Sequence, residues 1–190
     1  MVMGDQRYLN NQLLIAMPSL ADPNFSQTVT LVCEHSEHGA LGIVLNRPLE
    51  MRLGEVLDQL SLPNKDARLS AQPVLRGGPV QPDRGFVLHR PTGRSWDSTL
   101  EVSDTLHVTT SRDILESIAR GEGPAEASMA LGYAGWDAGQ LEDEVGQNAW
   151  VAGPGDESIV FSVHFEQRWN AAARLLGVDL SRISHLSGRA

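Results

Sequence analysis

The sequence contains a single cysteine, Cys33, in 190 residues. No internal disulfide can form, and there are too few thiols for a thiolate zinc site. The chain therefore reads as a protein of a reducing compartment, the cytoplasm. Long hydrophobic runs are missing too. The stretch Leu13 to Met17 falls far short of the ~20 residues that span a bilayer, so no membrane association is expected. Around it, Asp5 precedes Arg7 and Pro18 ends the run, which does not make a secretory leader. Basic runs are absent, and Lys65 is the only lysine among the 15 basic residues. Against 24 acidic residues these leave a formal charge of −9, a field that repels phosphate backbones and argues against direct nucleic-acid binding. No repeat and no low-complexity linker divides the chain. What remains is 41% hydrophobic residues in a length that buries roughly 70% of its unfolded surface. One soluble domain over residues 1–190 is expected, with a core at about 13–177 and a loosely held tail at 178–190.

Hydropathy patterning gives a mixed content. Thr28 to Glu34 alternates with Val29, Leu31 and Cys33 on one face, and Ala40 to Leu45 alternates with Leu41, Ile43 and Leu45 inward, so the two form an antiparallel hairpin across a polar turn ending in Gly39. Leu53, Val56, Leu57 and Leu60 have the spacing of one helical stripe. Strands are expected at 73–76, 84–89, 105–109, 129–134 and around Trp150, with residues 77–83 an irregular loop. Ser111 stands as the N-cap of a helix carrying Ile114, Leu115 and Ile118, which Gly121 stops. Asp137 and Gln140 have capping-box spacing before a helix carrying Leu141 and Val145. Phe165, Trp169, Ala172, Ala173 and Leu176 share a helical face that ends at Gly177. Strands and helices are interspersed and one pair is a hairpin, so the fold class is α+β, a single domain with a mixed, mainly antiparallel sheet.

Five ordered blocks add a resemblance. LLIAMPSLADPNF, VCEHSEHGALGIVLNRP, RGGPVQPDRGFVLH, TTSRDIL and LGYAGWDAGQLEDEV resemble the YqgE/AlgH family of bacterial proteins from about Leu13 through Gly177. The resemblance implies a bent sheet partly closed into a small barrel with helices around it. It implies no defined activity. One branch carries a label for transcriptional control of alginate production, which specifies no DNA-binding surface. The C-terminal Gly188-Arg189-Ala190 departs from the Gly-His-Ala ending common in the family, so no role passes to a terminal histidine.

Several segments have the residue types for chemistry. Cys33-Glu34-His35-Ser36-Glu37-His38 packs five potential metal ligands into six positions, yet the two histidines lack the spacing of an inverted zincin and strand alternation separates Cys33 from Glu34. No metal is expected. Cys33 itself reads as a buried small hydrophobe beside Val32 and Glu34 rather than as a nucleophile. Arg76-Gly77-Gly78-Pro79 with Arg84 offers an anion cradle, although it matches neither a P-loop nor a dinucleotide fingerprint, so no cofactor is implied. Gly132 to Gln140 is a glycine-rich corner without the serine of a nucleophile elbow, where Tyr133 and Trp136 could line a groove. The run Glu142-Asp143-Glu144 reads as a solvated helix face. Together, Arg76, Gly77, Gly78, Arg84, Tyr133, Gly135 and Trp136 are the candidate ligand-binding residues, expected near one cleft. The expected function is binding of a small molecule or protein partner, and the rival is a cysteine- or metal-dependent hydrolase or transferase.

Overall fold

The chain runs β1 (Gln12–Ala16), β2 (Val29–Ser36), β3 (Gly39–Val44), β4 (Pro48–Arg52), α1 (Leu53–Gln59), α2 (Ala67–Ser70), β5 (Pro73–Arg76), β6 (Val80–His89), β7 (Thr99–Glu101) and β8 (His107–Thr109). It continues with α3 (Arg112–Ala119), β9 (Ala127–Asp137), α4 (Gln140–Gly146), β10 (Trp150–Pro154), α5 (Glu157–Phe161), a 3-10 turn (Phe165–Gln167) and α6 (Arg168–Leu175). The structure is a computed structural model that describes residues 8–182. Asp5 and Arg7, and the ending Gly188-Arg189-Ala190, lie outside the described residues.

One ten-stranded sheet holds the molecule together; eight strands run in the order β10-β1-β2-β3-β9-β6-β8-β7, and β5, itself paired with β4, joins at β9. Every step along that path is antiparallel. β9 is the hub. One of its edges pairs with β6, and the other takes β5 in parallel at Ala130 and Leu131 and then β3 from Ala134 to Asp137. The sheet curls into a half-barrel because its two faces carry different loads. Leu13 and Ile15 of β1, Val29, Leu31 and Cys33 of β2, and Phe86 and Leu88 of β6 point inward, where Ile159 and Val160 of α5 and Ala172 and Ala173 of α6 plug the interior. The alternate residues point outward. At one end Leu53 and Leu57 of α1 and Ile114 and Ile118 of α3 cover Val87 and Met129; at the other, Leu141 of α4 packs with Leu14, Val32, Trp136 and Trp150. A sheet buried on both faces explains why LLIA is a continuous apolar run and why Thr28 and Thr30 are buried beside Val29 and Leu31.

Several expectations need correction. β2 continues through Ser36, so His35 is a buried strand residue and the turn is only Glu37 and His38. β6 begins at Val80 inside the expected loop, because Val80 finds Tyr133 across an irregular stretch that resumes pairing at Gly85. Asp137 ends β9 and Gly139 is the N-cap of α4, although Gln140 does reach back to accept the Asp137 N–H. Glu142 and Glu144 are engaged rather than solvated: Glu142 meets the His35 ring at 2.8 Å, and Glu144 accepts the indole N–H groups of Trp136 and Trp150. The start of the expected tail is docked, with Leu180 6% exposed against the inner core.

Candidate functional site

The most ligand-like concavity lies on the outer face, between α1 and α3. β8 delivers the chain into α3 through Ser111, which has extended backbone and is the N-cap, as expected. Its hydroxyl caps no helix amide. It donates instead to Asp113, whose carboxylate also accepts the N–H groups of Asp97 and Ile114. Burial alone would raise the Asp113 pKa, and these hydrogen bonds outweigh it, holding the carboxyl below its ordinary value. Arg112 crosses to α1, donating to the Leu60 carbonyl at 2.6 Å while its Nε meets Glu116 at 3.3 Å. Asn64, in the segment after α1, donates to the Ala119 carbonyl at 2.8 Å, so α3 is tied both to the end of α1 and to the chain that follows it.

Between these ties the sheet is left partly uncovered, as a groove of about 350 Å³. Val87, Met129 and Leu131 form its floor, Met51, Val56 and Leu60 one wall, and Leu115 the other. Asp83, Thr110, Ser111 and Arg112 rim one end. The strand register explains that polarity. Val87 pairs with Thr109 and with Met129, so moving toward Gly85 and Asp83 on β6 is moving toward Ser111 and Arg112 past β8. At the opposite end a smaller cavity of about 50 Å³ shares Val87, Leu115 and Met129 with the groove and is extended by Leu53, Leu69 and Ile118. A methionine side chain thus stands between the two spaces.

Thr109, on the groove wall, has its hydroxyl committed elsewhere. It lies 2.7 Å from His89 Nε2 and 2.8 Å from the Thr99 hydroxyl, while His89 Nδ1 is 3.0 Å from the Arg90 carbonyl. That carbonyl can only accept, so Nδ1 donates and Nε2 accepts the Thr109 proton. Burial, reinforced by neighbouring His107 and partly offset by the Arg90 carbonyl, holds the His89 pKa below its ordinary value. The ring is a neutral, buried hydrogen-bonding group.

A second depression, of about 480 Å³, is rimmed by Ser103, Thr105, Asp156 and Ser162 around Arg90. Its cation is already neutralised by Glu126 and Glu157. It lacks the apolar floor of the outer groove.

The structure divides the residues proposed from sequence. Gly77, Gly78, Tyr133 and Gly135 do come together. Gly77 donates to the Leu131 carbonyl, and a side chain at Gly78 would collide with the Tyr133 carbonyl. The glycines serve this close passage of the backbone over β9. Arg76 and Arg84 diverge: Arg76 is in register with Leu131 on the outer face, whereas Arg84 lies over the Phe86 ring, which packs inward. They do not form a shared cradle. Tyr133 packs with the inner core and Trp136 with the outer one, so they do not line one groove. Both follow Gly132 in one strand, and a spacing of three puts them on opposite faces; the φ of +79° at Gly132 instead lets Ala130 and Tyr133 share the inner face. Cys33 is 3% exposed, and burial, with the Glu34 charge adding to it, pushes its thiol up to about 12. Glu34, Glu37 and His38 are exposed while Cys33 and His35 are buried, so the six-residue run does not converge. Among the described residues no three His, Cys, Asp or Glu side chains gather in metal-binding geometry. Likewise, among these residues no helix is long and apolar enough to cross a membrane.

The outer-groove residues were missed because they come from six separate elements and carry no motif. The available signal was the pair of helices at 53–60 and 111–120, whose stripes had to cover one face of the sheet.

A curled antiparallel half-barrel plugged by helices within and clad by helices outside is the architecture of one bacterial family. The AlgH-like family matches residues 13–181, and the chain belongs to it. A UPF0301 protein of Xanthomonas campestris pv. campestris is 54% identical over 182 residues, covering 96% of each chain. The solution structure of the AlgH protein from Pseudomonas aeruginosa superposes with a TM-score of 0.79 at 50% identity over 97% of each chain. A crystal structure of a Corynebacterium diphtheriae protein, at 21% identity, has a TM-score of 0.75 over 93% of this chain and 91% of that one, and shares the fold alone.

Proposed function

We propose that this protein binds a small ligand, and that its site is the outer groove between α1 and α3. One observation carries the reading: about 350 Å³ of space with an apolar floor and a charged and hydroxyl-bearing rim, within the range of roughly 300–1,000 Å³ typical of ligand sites. Two of its lining residues, Met51 and Met129, have the flexible thioether side chains that adapt to varied apolar shapes. The rival thiol enzyme is disfavoured by a Cys33 thiol raised to about 12, the reverse of an activated nucleophile. We place the protein in the cytoplasm, where a lone thiol stays reduced. Any regulatory role would then run through occupancy of the groove rather than through contact with DNA.

Methionine-methyl NMR tests this directly. Titration with decanol, a neutral chain, should move the Met51 and Met129 methyl signals and leave Met17 in place, and Met129→Trp should abolish the response by filling the groove. No saturable shift at Met51 or Met129 would overturn the reading.

A further inference from the structure

Resting on that assignment, we infer that the ligand is a cationic amphiphile, an alkyl chain ending in an ammonium group that Asp83 receives. The groove separates the two halves of such a molecule. Past the floor at Met129 a smaller space is lined by Leu53, Leu69 and Ile118 together with Gln72 and Ser128, so a flexible chain that displaces the thioether finds further apolar contacts beyond it.

The head group is decided at the mouth. Two charged residues line the groove, Asp83 and Arg112. The Arg112 guanidinium is committed to the Leu60 carbonyl and Glu116. The Ser111 hydroxyl is committed to Asp113, and that of Thr110 donates to Ser98. Asp83 is exposed and, among the described residues, makes no hydrogen bond or ion pair. A cation at the mouth therefore meets a ready acceptor. An anion drawn to the remaining Arg112 N–H groups would lie beside Glu116, which already pairs with that guanidinium, and beside the unpaired Asp83. The net charge of −9 adds a field of the same preference.

Three ligands of matched chain length separate the possibilities: decylamine, decanoate and decanol, each below its micelle concentration and titrated at neutral pH with the Met129 methyl signal as readout. Decylamine should bind about threefold to fivefold more tightly than either other ligand, the upper part of what an ion pair to an exposed carboxylate supplies. Asp83→Asn should make decylamine and decanol bind equally, while Glu37→Gln, which removes an exposed carboxylate from the hairpin turn, should leave the preference intact. Decanoate binding as tightly as decylamine, or equal losses in the two variants, would overturn the head-group assignment and leave the groove standing. Failure of all three ligands to move Met129 would overturn the groove as well.

Discussion

Cys33 shows how one residue's setting decides its chemistry. The pairing of β2 with β3 shifts register between Val32 and Glu34, so Cys33 is the extra residue of a bulge, turned into the inner core. With its thiol near 12 against an ordinary 9.0, the folded protein should hold roughly a thousandfold less thiolate than an exposed cysteine at the same neutral pH. Iodoacetamide should accordingly modify the native protein very slowly and the urea-unfolded protein rapidly. Fast native labelling at neutral pH would contradict the burial. His89 makes the opposite kind of prediction. Its folded pKa lies below the unfolded value of 6.5, so in mild acid the unfolded chain takes up the proton more readily. Stability is therefore fully present above the unfolded value and is lost as pH falls below it, with a slope of at most about 1.4 kcal/mol per pH unit. Urea unfolding between about pH 7 and about pH 5 should show a steeper decline for the native sequence than for His89→Gln. Parallel curves would show that the ring titrates freely.

At the scale of elements, α4 is fastened by its acidic side rather than merely exposing it. Glu144 Oε1 accepts from Trp136 of β9 at 3.1 Å and from Trp150 of β10 at 3.0 Å, joining two strands that are not neighbours in the sheet. Glu144→Ala leaves two shielded indole N–H groups without an acceptor and should cost about 2–4 kcal/mol in urea unfolding, whereas Glu144→Gln keeps an acceptor oxygen and should cost under about 1 kcal/mol. Equal losses would mean that the helix is held by packing alone. This clamp also marks the limit of legibility. β2, β3, α1, α3 and α6 were readable because period and caps are local: Leu41, Ile43 and Leu45 face inward, Ser111 starts α3 and Gly177 follows α6, as the spacing predicts. β4, β7, α2 and α5 were not readable. They are three to five residues long, too short to display a period, and exist because longer neighbours receive them. The acidic run looked solvated because nothing near it in sequence reveals Trp150 and His35 arriving from elsewhere. Tyr133 and Trp136 looked like groove partners because the strand was expected to end at Ala134; it runs on to Asp137, and an odd spacing within one strand puts the two on opposite faces.

For the whole molecule, charge is the property that travels furthest from any one site. A net −9 should restrict duplex DNA to non-specific affinity, about 10⁻⁴ to 10⁻⁶ M or weaker at physiological salt. Sequence-selective binding below a micromolar in a mobility-shift titration would refute this and return the family's regulatory label to direct DNA contact.

The position of β9 bears on how the chain comes off the ribosome. β3, β5 and β6 all pair with it and none pairs with another, so three open strand edges are translated before the strand that closes them. At ~5–20 residues per second, the nascent chain spends several seconds between completing β6 and releasing Asp137. Through that interval β2–β3 and β4–β5 are hairpin-like fragments with sticky margins, dependent on chaperones or on the chain's own negative charge to keep them apart.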